Sequence, residues 1–257
     1  MGRTRRTSSP RRSAVSVLDR IVAVREAVEG GATTLPELVR STGLTRTTAH
    51  RLALALEGHG FLTRLGGHGY RLGPRLLRLA ATAMRELPIR DLAQPALVRL
   101  ARTTGESAQL FVRSGDERVC IDAVESTQEL RTIVRIGASL PLTAGSAGKV
   151  ILAWASEQDR DRVLARYRPL TTEAPSLGSL RRDLATTRRR GWASSVGERE
   201  PGVASVSAPV LGPRDVPVAV VSISAPARRL GRFRAAAFAP AVLEAAHEVE
   251  RSLGYGT

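Results

Sequence analysis

Cysteine is almost absent. Cys120 stands alone among 257 residues, so no internal disulfide can form and no cysteine-based metal cluster can be built. Lysine is equally scarce, since of the 39 basic residues only Lys149 is not arginine. Aromatic residues make up 4% of the chain, so a core must be assembled from Leu, Val, Ile and Ala. No apolar run is long enough to span a bilayer, and the N-terminus has no secretory hydrophobic region. A cytoplasmic protein is expected, with no membrane partner. Acidic residues are outnumbered, 24 against 39, for a formal charge of +15. Such an excess favours a polyanionic partner, nucleic acid before membrane.

What is present begins with Thr34 to Leu72. Thr34 and Glu37 have the spacing of a capping box, with Pro36 in the first turn of a short helix carrying Leu35, Leu38 and Val39 on one face. Ser41-Thr42-Gly43 ends it, Leu44 fills the turn, and Thr45 caps a second helix. There Ala49, Leu52, Ala53 and Leu56 form an apolar stripe of helical period. Thr47, His50, Arg51 and Leu54 lie opposite, and Arg46 and Thr48 sit in the first turn. Gly58 and Gly60 end the helix. Phe61–Leu65 and Tyr70–Leu72 read as strands around Gly66-Gly67-His68-Gly69. The pattern is a winged helix-turn-helix, whose second helix fits a major groove. Its DNA-binding candidates are Arg46, Thr47, Thr48, His50 and Arg51, with Arg64, His68 and Arg71 on the wing. The bland alternative is a three-helix core segment without a ligand.

Residues 1–13 carry five arginines and no acid, and read as a disordered basic arm. A support helix at Ala14–Glu29 completes a DNA-binding domain over 14–74. A linker helix, Arg75 to about Glu86, is a candidate dimer contact within a linker region 75–90. Residues 91–257 form the remaining domain. They open with an amphipathic helix, Asp91–Thr103, and continue with β-rich runs at 107–113, 118–124 and 130–136, helices at 145–155, 157–167 and 179–190, strands at 192–196, 203–211 and 216–225, and a last helix at 234–253. Hairpin spacing favours an α+β fold with a mainly antiparallel sheet.

Gly145-Ser146-Ala147-Gly148-Lys149-Val150 fails as a phosphate loop. Its glycine spacing is short, and Val150 stands where a magnesium-binding Ser or Thr belongs. It remains a small-residue turn opening a helix, suited either to a small anion or carboxylate or to tight packing. Lys149 either adds charge there or points outward. Cys120, between Val119 and Ile121, reads as a buried structural thiol, and Glu198-Arg199-Glu200 as a polar loop. The four histidines share no metal spacing, and no nucleophile–base pair is evident. No cofactor is implied and no catalytic residue is assigned. A ligand-responsive DNA-binding regulator competes with a small-molecule transferase bearing an accessory DNA module, and with an architectural protein.

Three stretches in this order are specific: Thr45 to Leu52 with Leu56-Glu57 and Gly60-Phe61; Gly145 to Lys149; and Gly191-Trp192 through Glu198, Gly202 and Ala208-Pro209-Val210 to Ser222-Ile223-Ser224. Over about residues 14–253 the chain resembles the IclR family of bacterial transcriptional regulators. Gly105 to Leu110 and Gly197 to Val203 also resemble an actinobacterial branch tied to amino-acid, especially leucine, metabolism. The resemblance implies a winged helix, a linker helix and a GAF-like effector domain. It implies homodimers, paired into homotetramers, on palindromic operators, acting as repressors among other roles. It also implies a small organic, keto or amino acid as effector, held by Gly145, Ser146, Ala147, Gly148, Ser195, Ser205, Ser222 and Ser224. Some members carry an acid and a cysteine where this chain has Ser195 and Ser205, so their effectors do not transfer.

Overall fold

The computed structural model describes residues 16–66, 69–85, 88–231 and 234–255. The basic arm and His68 lie outside the described residues. The chain divides into two compact units, one ending at Leu87 and one beginning at Pro88.

In the first unit α1 (Ser16–Glu29), α2 (Leu35–Thr42) and α3 (Arg46–Gly58) precede a two-stranded wing, β1 (Leu62–Leu65) and β2 (Gly69–Leu72). Local chemistry sets these boundaries. The Glu37 carboxylate accepts the N–H groups of Thr33 and Thr34 at 2.8 and 2.9 Å. Those bonds hold it below the usual carboxylate range. Gly43 ends α2 with φ at +69°, where a side chain would be strained. Thr45 caps α3 by accepting the Thr48 N–H at 3.3 Å. Val24, Val28, Leu38, Ala53, Leu56, Leu62 and Tyr70 make a common core. Then comes α4 (Pro74–Arg85), the linker helix, which buries none of its described side chains within the unit.

The second unit opens with α5 (Pro88–Thr104). Pro88 serves as its first residue, a position that needs no N–H. There follow β3 (Ser107–Ser114), β4 (Glu117–Val124), β5 (Ser139–Pro141), α6 (Ser146–Trp154), α7 (Glu157–Leu164), α8 (Leu177–Arg190), β6 (Ala193–Val196), β7 (Val203–Leu211), β8 (Pro217–Pro226), α9 (Ala227–Leu230) and α10 (Ala235–Ser252). The six strands form one antiparallel sheet in the order β5-β4-β3-β8-β7-β6. The expected α+β class with a mainly antiparallel sheet is what the chain adopts. Helices α5 and α10 pack together on β3, β4, β7 and β8, while α6 packs on β6, β7 and β8 and against α8. Phe111, Cys120, Leu142, Val150, Leu152, Leu164, Leu180 and Val220 fill the α6 side.

The expected strand at 130–136 is absent. Its apolar residues Leu130, Ile133 and Ile136 are about half exposed, and ladder pairing with β4 begins only at Ser139. High β-propensity did not suffice where no neighbouring strand and no buried face were available.

Candidate functional site

On α3, Arg46, Thr47, His50 and Arg51 are exposed opposite the buried Ala49, Ala53 and Leu56. A row of donors therefore faces outward from a helix anchored by its other side. Thr48 is half-buried, and its hydroxyl accepts from the Thr45 hydroxyl at 2.9 Å, so it serves the cap. On the wing Arg71 is exposed. Arg64 is half-buried, paired with Glu57 at 3.0 Å and lying 5.0 Å over the Tyr70 ring. Leu54 is 42% exposed on the outer side of α3.

In the second unit the strand register lays polar residues in rows across the face that meets α6. Ser195, Ser205, Ser224 and Ser107 share one row across β6, β7, β8 and β3. Ser207, Ser222 and Gln109 share the next. The N-terminus of α6 comes down on these rows. The Ser146 hydroxyl bonds to Ser205 at 2.7 Å and to Ser207 at 2.6 Å, and Ser207 donates to Ser222 at 2.8 Å. Between turn and sheet lies a cavity of about 30 Å³. Gly145, Ser146, Ala147, Ser195, Ser205, Ser222 and Ser224 line it together. Gly148 faces elsewhere: a Cβ there would lie 2.2 Å from the Leu142 carbonyl oxygen, so it is glycine because backbone crosses it.

Two turn N–H groups are already engaged. Gly145 donates to Glu198 at 3.3 Å, and Ser146 to the Ser205 hydroxyl at 3.4 Å. Lys149 neither lines the cavity nor points outward. It is 3% exposed, with Nζ donating to Asp183 at 2.8 Å, to the Ser194 carbonyl at 3.2 Å, and to Glu198. The expected polar loop thus holds a buried carboxylate that clamps both the turn and its lysine. Sequence reasoning also passed over Gln109, Phe111, Arg118, Val134, Leu140, Arg199, Glu200 and Val203, which complete the cavity wall. One signal was legible. Arg118 alternates with Cys120 along β4 on one buried face, before the bulge at Ile121 turns Asp122 to the opposite face beside Arg90 of α5. Burial pushes the Arg118 guanidinium down to about 9 and the Cys120 thiol up to about 12. At neutral pH the first is charged and the second a neutral, inert thiol.

Among the described residues no cluster of metal-ligating side chains occurs, and no helix is long and apolar enough to cross a membrane.

The family model for the IclR helix-turn-helix domain matches residues 17–66, and that for the bacterial transcriptional regulator IclR C-terminal domain matches residues 81–251. The chain belongs to the IclR family of bacterial transcriptional regulators. It is similar to the glycerol operon regulatory protein of Streptomyces coelicolor, 32% identical over 252 residues that cover 94% of this chain and 98% of that protein. It is likewise similar to the transcriptional repressor IclR of Escherichia coli, at 31% identity over 90% of this chain and 85% of that one. Among solved structures, an IclR homolog from Microbacterium hydrocarbonoxydans complexed with 4-hydroxybenzoate superposes with a TM-score of 0.77 at 28% identity, covering 93% of this chain and 99% of that chain. This IclR-type protein is therefore a DNA-binding transcriptional regulator with a C-terminal effector domain. The transferase reading is set aside, since the relatives are regulators and not enzymes.

Proposed function

We propose that this regulator reads its operator with Arg46, Thr47, His50 and Arg51 in the major groove, aided by Arg71 and His68 of the wing at the phosphates. Thr48 shapes the helix start and Arg64 braces the wing against α3. A small organic acid, with keto and amino acids in the class, enters the cavity between the Gly145–Ala147 turn and the serine rows. A second copy of the chain meets α4, because one recognition helix covers one half-site and a palindromic operator needs two. Paired dimers would make a tetramer.

The observation that carries the effector reading is the convergence of Ser195, Ser205, Ser222 and Ser224 on the N-terminus of α6 around one cavity. It puts uncharged hydroxyls and a positive helix end in one place, the chemistry that holds a carboxylate. The acid bound by the Microbacterium homolog supports the same class.

The test begins with mapping the protein's binding sites on its genome, then anisotropy titrations on one recovered operator. Arg46→Ala is expected to cost about 1–3 kcal/mol of specific binding if Arg46 reads a guanine. Wild-type affinity in that variant removes Arg46 from the reading set. Ala147→Asp places a fixed negative charge in the cavity wall and is expected to abolish the response to acids while leaving operator binding intact. Linkage also requires that operator DNA change acid affinity by the factor by which acid changes DNA affinity. A variant that still responds puts the effector elsewhere.

A further inference from the structure

Among the described residues, two buried polar atoms in the cavity wall have no hydrogen-bond partner. Arg118 is 3% exposed. One of its terminal nitrogens donates to the Pro141 carbonyl, its guanidinium lies 5.4 Å over the Phe111 ring, and its Nε is buried and unpartnered. Among the described residues no carboxylate forms an ion pair with it. Gln109 is 1% exposed. Its amide nitrogen donates to the Ser224 hydroxyl at 2.8 Å, and its Oε1 is buried and unpartnered. The turn is shaped around the first of these groups: a Cβ on Gly145 or on Gly148 would come within 3.0 Å of an Arg118 terminal nitrogen.

Charge accounting isolates Arg118 further. Lys149 is balanced by Glu198 and Asp183, and Arg199, the other cation in the wall, lies 3.4 Å from Glu200. A buried guanidinium that shares its one nearby carboxylate, Glu198, with Lys149 and makes no contact ion pair among the described residues, and a buried amide oxygen without a donor, are each costly, and folded proteins leave few of them. Both sit on the same cavity. Together they specify a ligand that brings an anionic acceptor at one end and a hydrogen-bond donor at the other.

We propose that the cavity takes a small aliphatic hydroxycarboxylate, its carboxylate on Arg118 and its hydroxyl donating to Gln109 Oε1. The proposal rests on the effector reading of this cavity and narrows it. A keto acid offers only acceptors and leaves Gln109 Oε1 unpaired. An amino acid offers a donor but brings an ammonium into a wall already holding two arginines. Short aliphatic acids ask the least displacement of a cavity of about 30 Å³.

Calorimetric titration of the full chain with propionate, lactate, pyruvate and alanine, one carbon skeleton with four substituents, decides it. Lactate is expected to bind about tenfold or more tightly than propionate or pyruvate, the cost of an unpaired buried acceptor. Gln109→Leu should erase that advantage and keep the propionate affinity. Arg118→Leu should lose every acid. Arg118→Lys, which keeps the charge, should retain weakened lactate binding and covers the case in which the leucine variant does not fold. Equal binding of all four acids, a preference for pyruvate or alanine, undiminished lactate binding by both Arg118 variants, or no binding of any of them at millimolar concentration overturns the proposal. Failure of the underlying effector reading looks different: an acid then binds Ala147→Asp as well as it binds wild type.

Discussion

Replacing Lys149 with methionine isolates the clamp behind the serine-lined cavity. Methionine keeps most of the buried volume and removes the charge. What remains is Glu198, whose side chain is 8% exposed, with its partner gone. Removing one member of a buried pair costs about 3–5 kcal/mol, because the other charge is left uncompensated in a poor solvent. Glu198 still accepts the Gly145 N–H at 3.3 Å, which places the loss near the lower end of that range. The second partner, Asp183, is 48% exposed and returns to water at little cost, less than about 1 kcal/mol. A loss of about 3 kcal/mol follows, and for a domain of this size it lowers the melting temperature by roughly 6–12 °C. Both tryptophans, Trp154 and Trp192, lie in the unit beginning at Pro88, so their fluorescence in a urea titration reports that unit without interference from the winged helix. Adding Glu198→Gln to Lys149→Met removes the orphaned charge and should recover part of the loss. A single variant that loses less than about 1 kcal/mol refutes the burial argument, because such values belong to exposed pairs. A double variant no more stable than the single refutes it too.

Three further outcomes are expected. Gly148→Ala drives a Cβ to 2.2 Å from the Leu142 carbonyl oxygen, a backbone atom that cannot rotate away, and should cost about 3 kcal/mol in the same urea titration. Cys120, pushed up to about 12 mainly by burial, should resist thiol reagents at pH 8 in the folded protein and react on unfolding. Because the unfolded thiol ionises near its ordinary value of about 8.5 while the folded one keeps its proton, this group makes stability fall as pH rises from about 9 toward 12, and Cys120→Ala should lessen that decline in denaturation midpoints across the range. Leu77 and Leu79 on α4 are 74% and 49% exposed, so Leu77→Glu should leave the unit's stability within about 0.5 kcal/mol. In sedimentation it should shift the protein toward monomer and weaken operator binding, and an unchanged assembly state removes α4 from the dimer interface.

The first unit was legible almost residue by residue, because its determinants are local. Thr34, Glu37, Gly43 and Thr45 act within four positions of their own elements, and the α3 stripe repeats at helical period. The serine cavity was legible through the family resemblance, which supplied Ser146, Ser195, Ser205, Ser222 and Ser224; alternation on β7 and β8 would have put the last three on one face but not under α6. The groups that set its electrostatics were not legible. Lys149 and Glu198 are 49 positions apart, and Gln109 and Ser224 are 115 apart. A single sequence carries no record of such pairings, so a lysine at a helix start and a Glu-Arg-Glu loop read as surface. The 130–136 run failed for the opposite reason. Its local signal was β-rich, but a strand exists only where a neighbour completes its ladder, and β4 takes its partner further along, at Ser139–Pro141.

The size of the cavity constrains how a ligand can act. A free volume of about 30 Å³ is room on the order of two waters, so even a three-carbon acid must displace part of the wall. Ser205, Ser222 and Ser224 cannot yield cheaply, since β7 and β8 each have a strand on both sides. Arg199 and Glu200 belong to the turn between β6 and β7, outside the ladder, and Val134 to the irregular segment before β5. These are the parts of the wall that can give. The first half of the β6–β7 turn is anchored by side chains: Glu198 binds the Gly145 N–H and the Lys149 ammonium, and the neighbouring Gly197 carbonyl accepts the Thr171 hydroxyl at 2.7 Å. A ligand that pushes Arg199 and Glu200 outward works against that clamp, while an ion pair with Arg118 works for it. On the proposed reading, an acid bears on Lys149–Glu198 without touching it. Linkage then demands that Lys149→Met alter acid affinity, because the variant changes the cost of moving the turn and leaves Arg118 and Gln109 in place.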